Sequence, residues 1–144
     1  MNTCPVIYVC RLAGTPISYN DWRRIRNEGQ KAAMKAKFQS DASAVFHEKG
    51  NRIPTGFARV ELRTVIFFPD LDKDGRHREH RRDEDNYHVP YYKWLQDVIV
   101  MEGVIPDDRA GCCRAWPVGF ARGREPMTLL TMDLYSTLAQ EAIP

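Results

Sequence analysis

The stretch from Pro90 to Gly103 constrains the fold of this chain more than any other. Tyr91, Trp94, Leu95, Val98 and Ile99 recur at three-to-four spacing, the mark of a helix with one apolar face. Pro90 suits a first helical turn and Gly103 suits the position just past a helix end. At about 1.5 Å per residue such a helix carries the chain roughly 20 Å away. Five or six extended residues after Gly103 can carry it roughly the same distance back. The two segments that flank this helix are therefore expected to meet at one end of it.

Both segments are acidic. Ahead of the helix runs Arg81-Arg82-Asp83-Glu84-Asp85-Asn86, and behind it Gly103-Val104-Ile105-Pro106-Asp107-Asp108. Each cluster alone reads as a solvated turn, but delivered to one place they make a set of hard oxygen ligands. Mg²⁺ is commonly held by one or two carboxylates with phosphate oxygens in its remaining positions. An extended chain over 83–86 would point Asp83 and Asp85 to the same side and Glu84 away. Lys93, in the first helical turn, stands at the same end, where a helix N-terminus already favours anions. These residue types point to metal-dependent phosphodiester chemistry.

The motifs resemble those of the RusA-type Holliday junction resolvases. The resemblance rests on Asp83-Glu84-Asp85-Asn86 preceded by arginines, on a helix with Lys93-Trp94-Leu95-Gln96-Asp97, and on Gly103-Val104-Ile105-Pro106-Asp107-Asp108. Pro16-Ile17-Ser18-Tyr19-Asn20 is similar to the family's Pro-x-Ser-x-Asn segment ahead of its first helix. The likeness spans residues 6–134 and is specific only in the centre. It implies that Asp83, Asp85 and Asp108 are catalytic metal carboxylates, that Asp107 belongs to the same metal site, and that Lys93 is the catalytic lysine. It also implies a Mg²⁺ cofactor, with Mn²⁺ able to substitute, a homodimer, and a role in DNA recombination and repair, often in phages or prophages. Two departures stand out: about four extra residues, Tyr87-His88-Val89-Pro90, before Lys93, and Glu84 where the family favours an apolar residue. They keep a junction-binding protein with impaired catalysis as the alternative.

Charge distribution fits a nucleic-acid partner better than net charge does. The whole chain carries only +2. Between Asp21 and Lys37, however, Arg23, Arg24, Arg26, Lys31, Lys35 and Lys37 face only Asp21 and Glu28, a local charge of +4. Arg76, Arg78, Arg81 and Arg82 crowd ahead of the acidic motif, and Arg109, Arg114, Arg122 and Arg124 follow it. Phosphate neutralisation by such side chains supplies most non-specific affinity for DNA. Arg23, Arg24, Lys31, Lys35, Arg76, Arg78, Arg81 and Arg82 are the expected DNA contacts, with branched DNA the expected partner.

Other chemistries are less well supported. Cys4, Cys10, Cys112 and Cys113 show no CxxC pairing and read as reduced packing thiols. His77 and His80 form an HxxH with His88 nearby, which leaves a zinc nuclease as a distant alternative. Asp70-Leu71-Asp72-Lys73-Asp74-Gly75 opens like an EF-hand loop, but its twelfth position is Arg81 instead of glutamate. No stretch approaches a membrane span and the N-terminus lacks a signal-peptide pattern, so the expected location is the cytoplasm, the host's if the chain is phage-encoded.

The expected fold is α+β, one domain over 1–144 with a mixed sheet backed by two main helices and a tail or short helix over 135–144. Val6 to Leu12 and Arg59 to Phe68 read as strands, and Tyr19 to about Ala44 as helix with an interruption. Cys112 to Val118 and Met127 to Leu134 read as a hairpin joined through Gly119–Arg124.

Overall fold

The computed structural model describes residues 4–69, 84–109 and 111–138. Arg59–Phe68 forms the central ten-residue strand β2, with Val60, Leu62, Ile66 and Phe68 buried on one face. Alternation along the strand sends Glu61, Arg63, Val65 and Phe67 to the other face. β1 (Val6–Ala13) and β5 (Met127–Tyr135) pair antiparallel from Val6 with Leu134 to Ala13 with Met127. β5 in turn pairs antiparallel with β2, from Arg59 with Tyr135 to Phe67 with Met127. The far edge of β2 is shared by two short parallel strands, β3 (Cys113–Ala115) beside Val60–Leu62 and β4 (Gly119–Arg122) beside Val65–Phe68.

The hairpin expected between Cys112 and Leu134 does not form. β4 and β5 lie on opposite edges of β2, so the linker between them crosses the end of that strand. A glycine-rich link between two apolar runs looks the same in sequence whether it turns back on itself or passes over a third strand. Gly123 marks the crossing: a Cβ there would lie 2.9 Å from Phe67 Cβ, and its N–H donates to Phe68 O at 3.3 Å.

Among the described residues three α-helices accompany the sheet, giving the α+β class with α2 and α3 as the main pair. The expected break in the long helical stretch falls at residues 25–27, between α1 (Tyr19–Arg24) and α2 (Glu28–Phe46). Each starts at a side-chain cap. Ser18 Oγ accepts from Asp21 N at 3.2 Å, and Asn27 Oδ1 from Gln30 N at 3.0 Å. Such caps satisfy amides that have no partner within the helix.

α3 (Tyr91–Met101) buries Tyr91, Tyr92, Trp94, Leu95, Val98 and Ile99, as its periodicity requires. It ends where Gly103, at φ +75°, reverses the chain. Gly103 N donates to Val100 O and Val104 N to Ile99 O, the paired bonds of a Schellman turn, with Val104 and Ile99 both buried beside it.

α2 joins α3 through Phe38, whose ring meets those of Tyr91 and Trp94 at 5.8 and 5.7 Å. At the far end Glu102 accepts from Ser43 Oγ at 2.6 Å and pairs with His47. The Ser43 hydrogen bond, before any other influence, holds the Glu102 carboxyl below the ordinary carboxylate range. Because its folded-state value is depressed, this contribution to stability is present above the unfolded pKa. It is lost as pH falls through the folded one.

Replacing Gly123 with alanine is expected to lower stability by about 1–3 kcal/mol, the usual cost of overpacking. Gly111, with nothing within 4 Å of an added Cβ, should tolerate alanine. Urea unfolding of both variants checks this; equal midpoints would mean that the linker does not pass tightly over β2.

Candidate metal and phosphate site

The end of α3 that carries Lys93 is fixed by its two preceding residues. Tyr91 Oη lies 2.9 Å from Thr64 Oγ1 in the buried middle of β2, and Tyr92 Oη donates to Trp116 O at 2.7 Å. Burial raises both phenol pKa values, that of Tyr92 to about 12, so both hydroxyls stay protonated at neutral pH. With these two rings turned inward, Lys93 is left exposed on the outer side of the helix.

The chain returns to Lys93 as its geometry predicts. After Gly103, Gly56 N and Phe57 N donate to Gly103 O and Val104 O, and Val104 and Ile105 are buried. Beyond Asp108 the amides of Cys112 and Cys113 both donate to Arg109 O, and Val60 N donates to Cys112 O, leading the chain into β3. Between these anchors Asp108 Oδ2 comes 2.9 Å from Lys93 Nζ. Asp97, one turn along α3, lies 3.7 Å from the same ammonium, and Lys35 of α2 reaches Asp97 at 3.6 Å. Asp107 turns to Arg109, 3.1 Å away.

Lys93 and Asp108 shift each other's ionisation. Its hydrogen bond to Asp108, then the charge of Asp97, raises the Lys93 pKa; the hydrogen bond from Lys93 lowers that of Asp108. Asp108 is therefore ionised and Lys93 cationic throughout the neutral range. Solvent exposure keeps the pairing exchangeable.

The first acidic cluster differs from expectation. Residues 84–87 form a 3₁₀ turn, Glu84–Tyr87, so strand alternation does not govern Glu84 and Asp85. Two anchors explain the turn. Asn86 Oδ1 accepts from Asn20 N at 2.9 Å, satisfying a free amide in the first turn of α1. Tyr87 is buried, with its ring 5.9 Å from that of Phe68 and 5.5 Å from that of Phe120. Asp85 thus rides on a turn fastened to α1 and to the core, just ahead of α3. Asp83, Arg76, Arg78, Arg81 and Arg82 lie outside the described residues, as do the Asp70–Gly75 turn, His77 and His80.

The basic helix is less free than its composition suggests. Lys35 is paired with Asp97, Lys37 with Asp41 at 2.7 Å, and Lys31 stands 5.1 Å above the Trp22 ring. Arg23 and Arg24 remain exposed in the last turn of α1. Trp22 meets Trp94 edge-on at 4.9 Å, which seats α1 against α3.

The donor set fits a hard cation better than a soft one. Asp107 and Asp108 offer adjacent, partly exposed carboxylates. Cys10, Cys112 and Cys113 are buried, and burial pushes the Cys10 and Cys113 thiols up to about 12. Among the described residues no three His, Cys, Asp or Glu side chains converge. No family model matches the chain, and no curated protein matches it. No helix among the described residues is long and apolar enough to cross a membrane.

Two contributors were not assigned from sequence. Asp97 was legible, because a carboxylate four residues after a lysine on a helix lies within its reach. The tie between Asn20 and Asn86 had no local signal, since 66 residues separate them. The Lys93 ammonium is expected to titrate above the ordinary lysine range and to move down in Asp108→Asn, as followed by NMR of its ε-methylene. An unchanged titration would mean that the pair does not persist in solution.

Proposed function

We propose that this chain is a metal-dependent, structure-specific DNA endonuclease that resolves four-way junctions by paired symmetric nicks. The observation that carries the reading is the 2.9 Å approach of Asp108 to Lys93, two residues 15 apart in sequence. It supports a single site fed by the helix and by the acidic return. The Asn86-anchored turn that bears Asp85 enters the same end of the helix.

In this reading Asp83, Asp85, Asp107 and Asp108 hold one or two Mg²⁺ ions. The bound metal supplies Lewis-acid polarisation of the scissile phosphate and a more acidic water. Lys93, held at hydrogen-bond length from Asp108, has only to exchange a carboxylate oxygen for a phosphoryl oxygen, where it stabilises developing negative charge. Asp97 keeps the ammonium from swinging away. Arg23 and Arg24, with Arg76, Arg78, Arg81 and Arg82, grip the flanking backbone, while Lys31 and Lys35 contribute field from α2. A twofold homodimer presents two such sites to a junction that is itself roughly twofold. The reading places the protein in the cytoplasm, where reduced cysteines persist.

One observation favours a second reading, a junction-binding protein with impaired catalysis: Lys93 is engaged by two carboxylates, Asp108 and Asp97. Cleavage of a labelled four-way junction and a matched duplex in Mg²⁺ or Mn²⁺ separates the two. Paired nicks confined to the junction are expected, abolished in Asp85→Asn and slowed about 10²- to 10³-fold in Lys93→Ala. Tight junction binding with no cut in either metal would establish the binding protein instead.

A further inference from the structure

The sheet face turned away from the helices carries a cleft of about 380 Å³, within the size range of small-molecule sites. Arg63, Val65, Trp116, Pro117, Leu129 and Thr131 line it. It exists because β3 ends at Ala115 and β4 begins at Gly119, leaving the edge of β2 locally uncovered. Trp116, at this break, is 38 % exposed, unusual for an indole in a chain whose other tryptophans pack on each other.

Charge around the cleft is uneven. Arg63 is neutralised by Asp133 at 2.7 Å, and Arg59 is shared between Glu61 and the Tyr135 ring. Arg114 is exposed, lies 4.1 Å over the Trp116 ring, and has no ion pair among the described residues. An aromatic plate, an apolar floor of Val65 and Leu129, the Thr131 hydroxyl and a guanidinium with no ion pair among the described residues match one unpaired nucleotide: a base to stack, an edge to hydrogen-bond and a phosphate to neutralise.

The cleft is also coupled to the candidate site. Trp116 O accepts from the hydroxyl of Tyr92, the residue before Lys93, so one rigid support holds both.

We infer that this cleft binds an unstacked base of the branched DNA, stacked on Trp116, with its phosphate on Arg114. The inference rests on the nuclease reading above and adds a subsite to it. Branch points hold the bases least protected by stacking on neighbours, so a pocket for an unstacked base would favour junctions over plain duplex.

The test is binding of the full-length protein to a fluorescent four-way junction and to oligo(dT), in Ca²⁺ to permit binding without turnover, with sedimentation of each variant. Base stacking on an aromatic side chain is worth about 1–3 kcal/mol, so Trp116→Ala should weaken junction binding about 5- to 150-fold. Trp116→Phe should retain most of the affinity, and Arg114→Ala should reduce the slope of log K against log salt by about one. Should Trp116→Ala fail to fold, Trp116→Phe and Arg114→Ala decide the matter. Wild-type affinity and salt slope in Arg114→Ala would then overturn the inference.

Wild-type affinity in a folded Trp116→Ala protein would likewise overturn it while leaving the nuclease reading intact. If Trp116→Ala and Trp116→Phe both turn a dimer into a monomer, the face belongs to a second copy of the chain and the base pocket is wrong. A wild-type protein that binds no junction at all would remove the nuclease reading, and the subsite with it.

Discussion

The seating of α3 on β2 is the constraint on which the rest of this structure depends. Two consecutive tyrosines turn their rings into the core and spend their hydroxyls there, Tyr91 on Thr64 of β2 and Tyr92 on the carbonyl of Trp116. A buried hydroxyl without a partner is costly, so these bonds set where the helix starts and how it is rotated. Rotation decides which side of the helix faces solvent, and Lys93 follows. The Schellman turn at Gly103 then fixes where the chain leaves, and the burial of Val104 and Ile105 directs it back to Lys93.

Local rules made much of this legible. The apolar spacing of 91–99, the flanking proline and glycine, and the alternation through 59–68 each specify one element and its buried face. That Asp108 can return to the Lys93 end of the helix follows from helix rise and chain reach. Two features escaped for the same reason: they are decided by partners distant in sequence. The amides of β4 and β5 pair with β2, from which more than 50 residues separate them, and nothing within 112–134 announces a third strand between them. The 3₁₀ turn at 84–87 is fastened by Asn20 and by the rings of Phe68 and Phe120, so its local sequence does not show that it departs from an extended strand.

The candidate site divides in the same way. The carboxylate nearest Lys93 along α3 could be read from spacing, whereas the link from Lys35 through Asp97 to Lys93 required the packing of α2 on α3. That link changes the meaning of the basic helix. Part of its positive charge is paired, Lys35 with Asp97 and Lys37 with Asp41, whereas Arg23 and Arg24 of α1 stand exposed.

Whether the two acidic clusters share one metal is measured most directly by Mn²⁺ titration, with free ion followed by electron paramagnetic resonance, for the wild type, Asp83→Asn and Asp108→Asn. A shared site predicts that either substitution weakens Mn²⁺ binding by on the order of tenfold or more, since even residues that only support a ligand cost that much. Wild-type Mn²⁺ affinity in Asp108→Asn would contradict it, leaving the pair of Lys93 and Asp108 as a surface ion pair and no more.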